Sequence, residues 1–159
     1  MKNWEVEAIL KFYKDIDLDI KVTGEWLEQY ESVYDTTGAI NYDGMPHGSN
    51  TSDSTALLAI EIAGTDTAER IKELKDRIQE LKKLRTEISK EIYSLIPIHK
   101  AIICGFYLQG QKWERIAEQI SYSVRQSKNI RCVALEVLGG KLARNRNVSR
   151  SKILKEVLH

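Results

Sequence analysis

The sequence predicts an all-α protein, with helices in residues 1–96 followed by a separate C-terminal domain in residues 97–159. Apolar residues recur at helical spacing through most of the chain. No segment shows the alternation of a strand with a convincing partner strand. Of the 159 residues, 42% are hydrophobic and 30% are charged, which is typical of a folded, soluble chain.

The first helical region is predicted over residues 4–34. Its apolar residues fall near helical spacing at Trp4, Ile9, Phe12, Tyr13 and Ile16. The stretch DLDIKVTGEW interrupts this pattern, and Gly24 predicts a turn between two helices. Residues 35–52 are rich in Gly, Ser, Thr and Asn and predict a loop, after which Ser52 or Asp53 is the expected N-cap of the next helix.

The next helix is predicted to be the longest, because its apolar residues alternate three and four positions apart. This heptad pattern has one misfit, Arg85, among Ile71, Leu74, Ile78, Leu81, Ile88, Ile92 and Leu95. Mixed charges between these residues indicate a solvated helix with a narrow apolar stripe. A coiled coil within or between chains and a bundle helix packed on the N-terminal helices both fit. Pro97 is expected to end or kink the helix.

The formal net charge of +1 conceals an asymmetry between the two regions. Residues 1–96 carry 12 Lys+Arg and 19 Asp+Glu, whereas residues 97–159 carry 12 Lys+Arg and 4 Asp+Glu. The balances are therefore −7 and +8. A basic C-terminal domain suits a polyanion such as nucleic acid, although attraction between the two regions is an alternative explanation.

Residues 112–138, KWERIAEQISYSVRQSKNIRCVALEVL, predict two helices joined by a short link at Ser121-Tyr122. Ser123 and Gln126 match a capping box at the start of the second helix. Ala117 is small enough to let the two helices approach closely. The residues expected to face inward are Ile116, Ile120, Ser127, Ile130, Ala134 and Val137. This spacing is typical of a helix-turn-helix, and also of two ordinary packed helices.

The exposed surface of this segment predicts contact with double-stranded DNA. The outward residues of the second helix are suited to base edges, and they are Val124, Arg125, Lys128, Asn129 and Arg131. Lys112, Arg115 and the basic residues after Gly140 are suited to phosphates. Tyr122, Ser123 and Gln126 complete the predicted DNA-binding set.

No pattern in the sequence predicts catalysis, a cofactor or a metal site. Cys104 and Cys132 are expected to be ordinary buried thiols, and the three histidines have no spaced partners. No apolar run approaches the roughly 20 residues that span a bilayer. The first residues are too acidic for a signal peptide, so a cytoplasmic protein without membrane contact is expected.

Residues 110–138, GQKWERIAEQISYSVRQSKNIRCVALEVL, resemble the C-terminal part of the ArpU/RinA-type phage transcriptional regulators, which are similar to region 4 of sigma-70 factors. The matching positions are Gly110, Trp113, Ile116-Ala117, Tyr122-Ser123, Gln126 and Ala134-Leu135. Residues 45–63, MPHGSNTSDSTALLAIEIA, resemble the family's Pro-x-Gly segment before its long helix. The resemblance covers about residues 42–138. Ser127 departs from the family's usual aliphatic residue and is expected to loosen helix packing.

The resemblance implies control of phage or prophage genes, usually activation of late genes, and no catalysis. The front half is then expected to supply a homodimer contact or a contact with host RNA polymerase. Two alternatives from other classes remain. Small terminase subunits of phage packaging machines also join a helix-turn-helix to a coiled coil, and an interaction adaptor would use the long helix as its working surface.

Overall fold

The computed structural model describes the backbone of residues 1–38 and 53–158 and the side chains of residues 1–32 and 66–158. Every regular element in these ranges is a helix, which confirms the all-α prediction for the described chain. The helices are α1 (Asn3–Gly38), α2 (Asp53–Tyr93), α3 (Pro97–Ile103), α4 (Trp113–Ile120), α5 (Val124–Arg144), α6 (Arg146–Ser149) and α7 (Lys152–Val157). A π-helical turn, Cys104–Leu108, continues α3.

Helix α1 runs through the position at which a turn was predicted. Gly24 lies inside the helix, so the prediction of two N-terminal helices is wrong. One glycine costs a helix only about 1 kcal/mol, and the apolar residues on either side keep the helical spacing. The helix also includes residues 35–38 of the predicted loop, and residues 39–52 lie outside the described chain.

The chain divides into two compact units, Met1–Asp19 with Glu80–His159, and Ile20–Gln79. Helices α1 and α2 each contribute residues to both units. The boundary predicted at residue 96 therefore falls inside the first unit. In the second unit, Lys75 and Glu31 form an ion pair of 2.7 Å, and Thr23 and Leu74 are buried.

The apolar stripe of α2 is buried by other residues of the same chain in the first unit. Leu81, Leu84, Ile88 and Ile92 are at most 2% exposed. The heptad pattern predicted position 85 on the stripe, but the residue that is buried there is Leu84. Arg85 is exposed, and its Nε lies 2.9 Å from Asp17 Oδ1. Within the first unit this stripe is thus part of an intrachain helical core.

The C-terminal helices are attached to acidic residues of α2. The side-chain amide of Asn145 donates to Glu87 at 2.8 Å and to Glu91 at 2.9 Å. The hydroxyl of Ser151 donates to Glu80 at 2.8 Å. Ile153 and Leu154 of α7 are buried. The basic segment that follows Gly140 is therefore folded into the first unit.

Pro97 and Gly110 bracket the segment that leads to α4. Helix α2 ends at Tyr93, and Pro97 is the first residue of α3, where the missing N–H costs no hydrogen bond. Gly110 has a φ of +64°, a left-handed conformation that favours glycine, and it follows the end of the π-helical turn.

Candidate nucleic-acid interface

Helices α4 and α5 are joined by a tight link. Ser121 adopts a left-handed conformation with a φ of 59°, which ends α4. The backbone N–H of Ser121 donates to Glu118 at 3.2 Å, and that of Tyr122 donates to Ala117 at 3.0 Å. These bonds satisfy the last carbonyls of α4 and turn the chain within two residues.

The start of α5 is closed by the predicted capping box. The Ser123 hydroxyl oxygen accepts a hydrogen bond from the backbone N–H of Gln126 at 3.2 Å. The Gln126 side-chain oxygen accepts from the Ser123 backbone N–H at 3.2 Å and from the Ser123 hydroxyl at 3.0 Å. The side-chain oxygen of Gln126 therefore belongs to the cap. The cap fixes the conformation of the first turn of α5, on which the neighbouring residues are displayed.

Ser127 is fully buried, and its hydroxyl donates to the Ser123 carbonyl at 2.9 Å. The hydroxyl thus has a partner inside its own helix, so its burial leaves no unpaired polar group. The expectation that Ser127 would loosen the packing has no support in this geometry.

Most of the α4 and α5 residues that were predicted to face inward are buried or half-buried. Ile116, Ala117 and Ala134 are buried, and Ile130 is half-buried. Val137 is 40% exposed, so its predicted inward position is wrong. Three residues of α5 fill the core instead, namely Leu135, Leu138 and Leu142.

Most of the predicted DNA-binding residues are exposed. The exposed members are Lys112, Arg115, Tyr122, Ser123, Arg125, Gln126, Lys128 and Asn129. Val124 and Arg131 are half-buried. At helical spacing, Arg125, Lys128 and Asn129 lie within about a third of a turn of each other, so α5 presents them on one face.

Arg131 lies in a cluster that sequence reasoning did not detect. Its Nη1 is 3.9 Å from Glu7 Oε1, and its guanidinium carbon is 6.0 Å from the ring centroids of both Phe106 and Trp113. These two rings stack at 4.5 Å. Arg131 is therefore engaged by residues of the fold rather than presented with Arg125 and Lys128.

Tyr107 completes this cluster by donating a hydrogen bond to Glu7 at 2.6 Å. Burial raises the pKa of Tyr107, and the hydrogen bond to the Glu7 carboxylate raises it further, so the phenol keeps its proton. Glu7 and Tyr107 are 100 positions apart, and neither belongs to a motif that would have pointed to the other.

Opposite charges on α4 lie on different faces. Lys112 and Arg115 are three residues apart, and Glu114 and Glu118 are four apart, and all are exposed. At 100° per residue, the basic pair lies roughly a third of a turn from the acidic pair. A polyanion can therefore approach the basic face without facing the two carboxylates directly.

The basic C-terminal segment is remote from the start of α5. Helix α5 has 21 residues and is therefore about 30 Å long. Arg125 and Lys128 lie near its beginning, whereas Arg146, Arg150 and Lys152 follow its end. Arg125 and Lys128 are thus separated along α5 from the basic residues that follow its end.

No protein-family model, curated protein or solved structure matches this chain. Across residues 1–38 and 53–158, no helix is long and apolar enough to cross a membrane. Among the side chains of residues 1–32 and 66–158, no group of three His, Cys, Asp or Glu could hold a metal ion. Cys104 is half-buried and Cys132 is exposed, so the prediction that both thiols are buried is wrong for Cys132.

Proposed function

We propose that this chain is a sequence-specific regulator of transcription that binds double-stranded DNA with the first turns of α5. The observation that carries the proposal is the capped start of α5, with Arg125, Lys128 and Asn129 exposed on one face. Helix α4 and α5 then act as a helix-turn-helix of the sigma region 4 type.

Each exposed side chain has a distinct task in this proposal. Arginine pairs with guanine and asparagine with adenine through two hydrogen bonds in the major groove, which are the contacts assigned to Arg125 and Asn129. Lys112, Arg115 and Lys128 neutralise phosphates and set the orientation of the domain. Gln126 is assigned to the cap, and Arg131 to the cluster with Glu7.

The biological setting follows from the resemblance to the ArpU/RinA-type regulators. The proposal accordingly extends to control of phage or prophage genes, with activation of late genes as the expected outcome. Host RNA polymerase is the partner that such an activator would contact from the bacterial cytoplasm.

The test is a gel shift with the DNA upstream of the neighbouring genes and a scrambled duplex of equal composition, across a salt series. Specific binding requires the natural duplex to bind more tightly at every salt concentration. Arg125→Ala is expected to weaken binding by roughly tenfold, the loss of one bidentate base contact. Lys128→Ala is expected to reduce the log–log salt slope by about 0.9, the loss of one phosphate contact.

The chain offers matched controls for both substitutions. Arg85→Ala and Lys90→Ala remove the same charges from exposed positions on α2, outside the predicted DNA-binding set. They are expected to leave affinity and salt slope unchanged. Equal binding to the scrambled duplex, no binding at low salt, or equal losses from the control variants would overturn the proposal.

A further inference from the structure

Helix α5 carries an exposed apolar face that neither the core nor the proposed DNA contact uses. Val133 is 49% exposed and Val137 is 40% exposed. A Cβ added at Gly140 would meet no atom within 4 Å, so the space beside this glycine is open. These residues are four and three positions apart and lie on one side of the helix. We call Val133, Val137 and Gly140 the outer face.

We propose that the outer face pairs antiparallel with the outer face of a second copy of this chain on DNA. This inference rests on the proposed DNA-binding function and adds that two copies of the chain bind one duplex side by side. The two-fold axis passes between Val137 and Gly140. Val137 of each copy then packs against Gly140 of the other, where the missing side chain lets the helices approach closely.

The charges beside the outer face favour an antiparallel pair. Glu136 and Arg144 are both exposed and lie eight residues apart along α5. In the antiparallel pair, Arg144 of one copy lies within one helical turn of Glu136 of the other copy. A parallel pair would instead place Glu136 beside Glu136 and Arg144 beside Arg144, which is repulsive.

The same axis sets the spacing of the two DNA-contacting turns. The midpoint between Arg125 and Lys128 lies about 12 residues, or about 18 Å, from the axis. The two turns are therefore about 36 Å apart in the pair. Successive major grooves on one side of B-DNA are about 34–36 Å apart, so each copy meets its own groove.

The direction of the DNA-contacting faces also agrees with this pair. At 100° per residue, the face with Arg125, Lys128 and Asn129 lies about a quarter of a turn from the outer face. It therefore points along the two-fold axis, and rotation about that axis leaves the direction unchanged. Both copies present their DNA-contacting faces to the same side, as one duplex requires.

The size of the outer face predicts a weak pair. Two partly exposed valines and a glycine bury far less than the roughly 800 Å² per partner of a stable interface. Free chains are accordingly expected to be mostly monomeric at micromolar concentration. Two adjacent half-sites on one duplex raise the local concentration and complete the pair.

The decisive experiment is a selection from random-sequence duplexes by the full-length chain, followed by sequencing. The wild type is expected to enrich two inverted copies of one motif, with centres about 10–11 base pairs apart. Val137→Asp is expected to enrich the same motif as a single copy. Leu18→Asp, at an exposed apolar position on α1, is the matched control and should enrich the inverted pair.

A charge swap tests the orientation of the pair. Glu136→Arg and Arg144→Glu alone are each expected to lower enrichment of the inverted pair by roughly tenfold relative to the single motif. The double variant Glu136→Arg/Arg144→Glu restores opposite charges across the axis and should recover the pair. Circular dichroism checks that every variant is folded.

The outcomes separate this inference from the proposed function. Enrichment of single motifs by the wild type, or an inverted pair that survives Val137→Asp, overturns the pairing and leaves DNA recognition intact. Failure of the double variant to recover the pair overturns the antiparallel arrangement. Enrichment of no motif by any variant overturns the proposed function, and the pairing with it.

Discussion

The Tyr107 hydroxyl donates a 2.6 Å hydrogen bond to the Glu7 carboxylate, joining α1 to the π-helical turn that leads to α4. Arg131 of α5 approaches the same carboxylate at 3.9 Å. Three segments that are distant in sequence therefore meet at Glu7. The first turns of α1 are thus part of the unit that carries the candidate interface.

Tyr107→Phe is expected to lower the free energy of unfolding by about 1 kcal/mol, because the Glu7 carboxylate loses a hydrogen-bond donor while the ring remains. Urea denaturation followed by circular dichroism measures the change. Tyr93→Phe is the control, because Tyr93 is 67% exposed and should tolerate the substitution. Equal stability of the two variants would show that the bond to Glu7 contributes nothing.

Stability should decline in alkaline solution in a way that depends on Tyr107. The folded protein raises the pKa of Tyr107 above its ordinary value of 10.0, so the unfolded chain releases this proton first. The contribution is complete below about pH 10 and is lost as the pH rises toward the folded pKa. The stability difference between wild type and Tyr107→Phe should therefore be smaller at about pH 11 than at about pH 8, with the decrease beginning near pH 10. A constant difference across this range would contradict the assignment.

Gly139→Ala should destabilise the first unit by about 1–3 kcal/mol, because overpacking forces neighbouring atoms apart. A Cβ at Gly139 would lie 2.9 Å from a methyl carbon of Val6 and 3.4 Å from the Met1 carbonyl oxygen. The adjacent Gly140 is the matched control, since its Cβ would enter open space. Gly140→Ala should stabilise α5 by up to about 1 kcal/mol through higher helix propensity. Thermal and urea unfolding at micromolar concentration would contradict this account if the two variants changed in the same direction.

Substitution of Arg131 is expected to lower mainly the stability of the fold, and substitution of Arg125 mainly the affinity for DNA. Arg131→Ala removes the side chain that lies against Phe106 and Trp113, and should cost about 1–2 kcal/mol of stability. Arg125→Ala removes an exposed side chain and should leave stability within about 0.5 kcal/mol of wild type. Gel shifts with the folded variants should show the reverse order for DNA affinity. A larger affinity loss for Arg131→Ala would place Arg131 among the base contacts.

Several local features could be predicted from the sequence because their causes lie within a few residues. The start of α3 at Pro97 follows from the fixed φ of proline, and the left-handed Gly110 from the absence of a side chain. The capping box joins Ser123 to a residue three positions away. Such features depend on backbone geometry that neighbouring side chains determine.

The misplaced residues have a common physical cause. The heptad pattern placed Arg85 on the apolar stripe, and helical spacing placed Val137 against α4, but Leu84 is buried and Val137 is exposed. Periodicity identifies an apolar stripe to within about one residue, and the helices that pack against it decide which side of the stripe is covered.

The sequence by itself determined the helical class, the capped start of α5 and the basic residues displayed near it, because each follows from local preference and composition. The tertiary structure alone decided that Arg131 turns toward Glu7 and that Tyr107 joins them. It also decided that the basic C-terminal segment attaches to α2 through Asn145 and Ser151. Partners separated by more than 50 positions meet only when the whole chain has packed, and no local pattern predicts which of them will face each other.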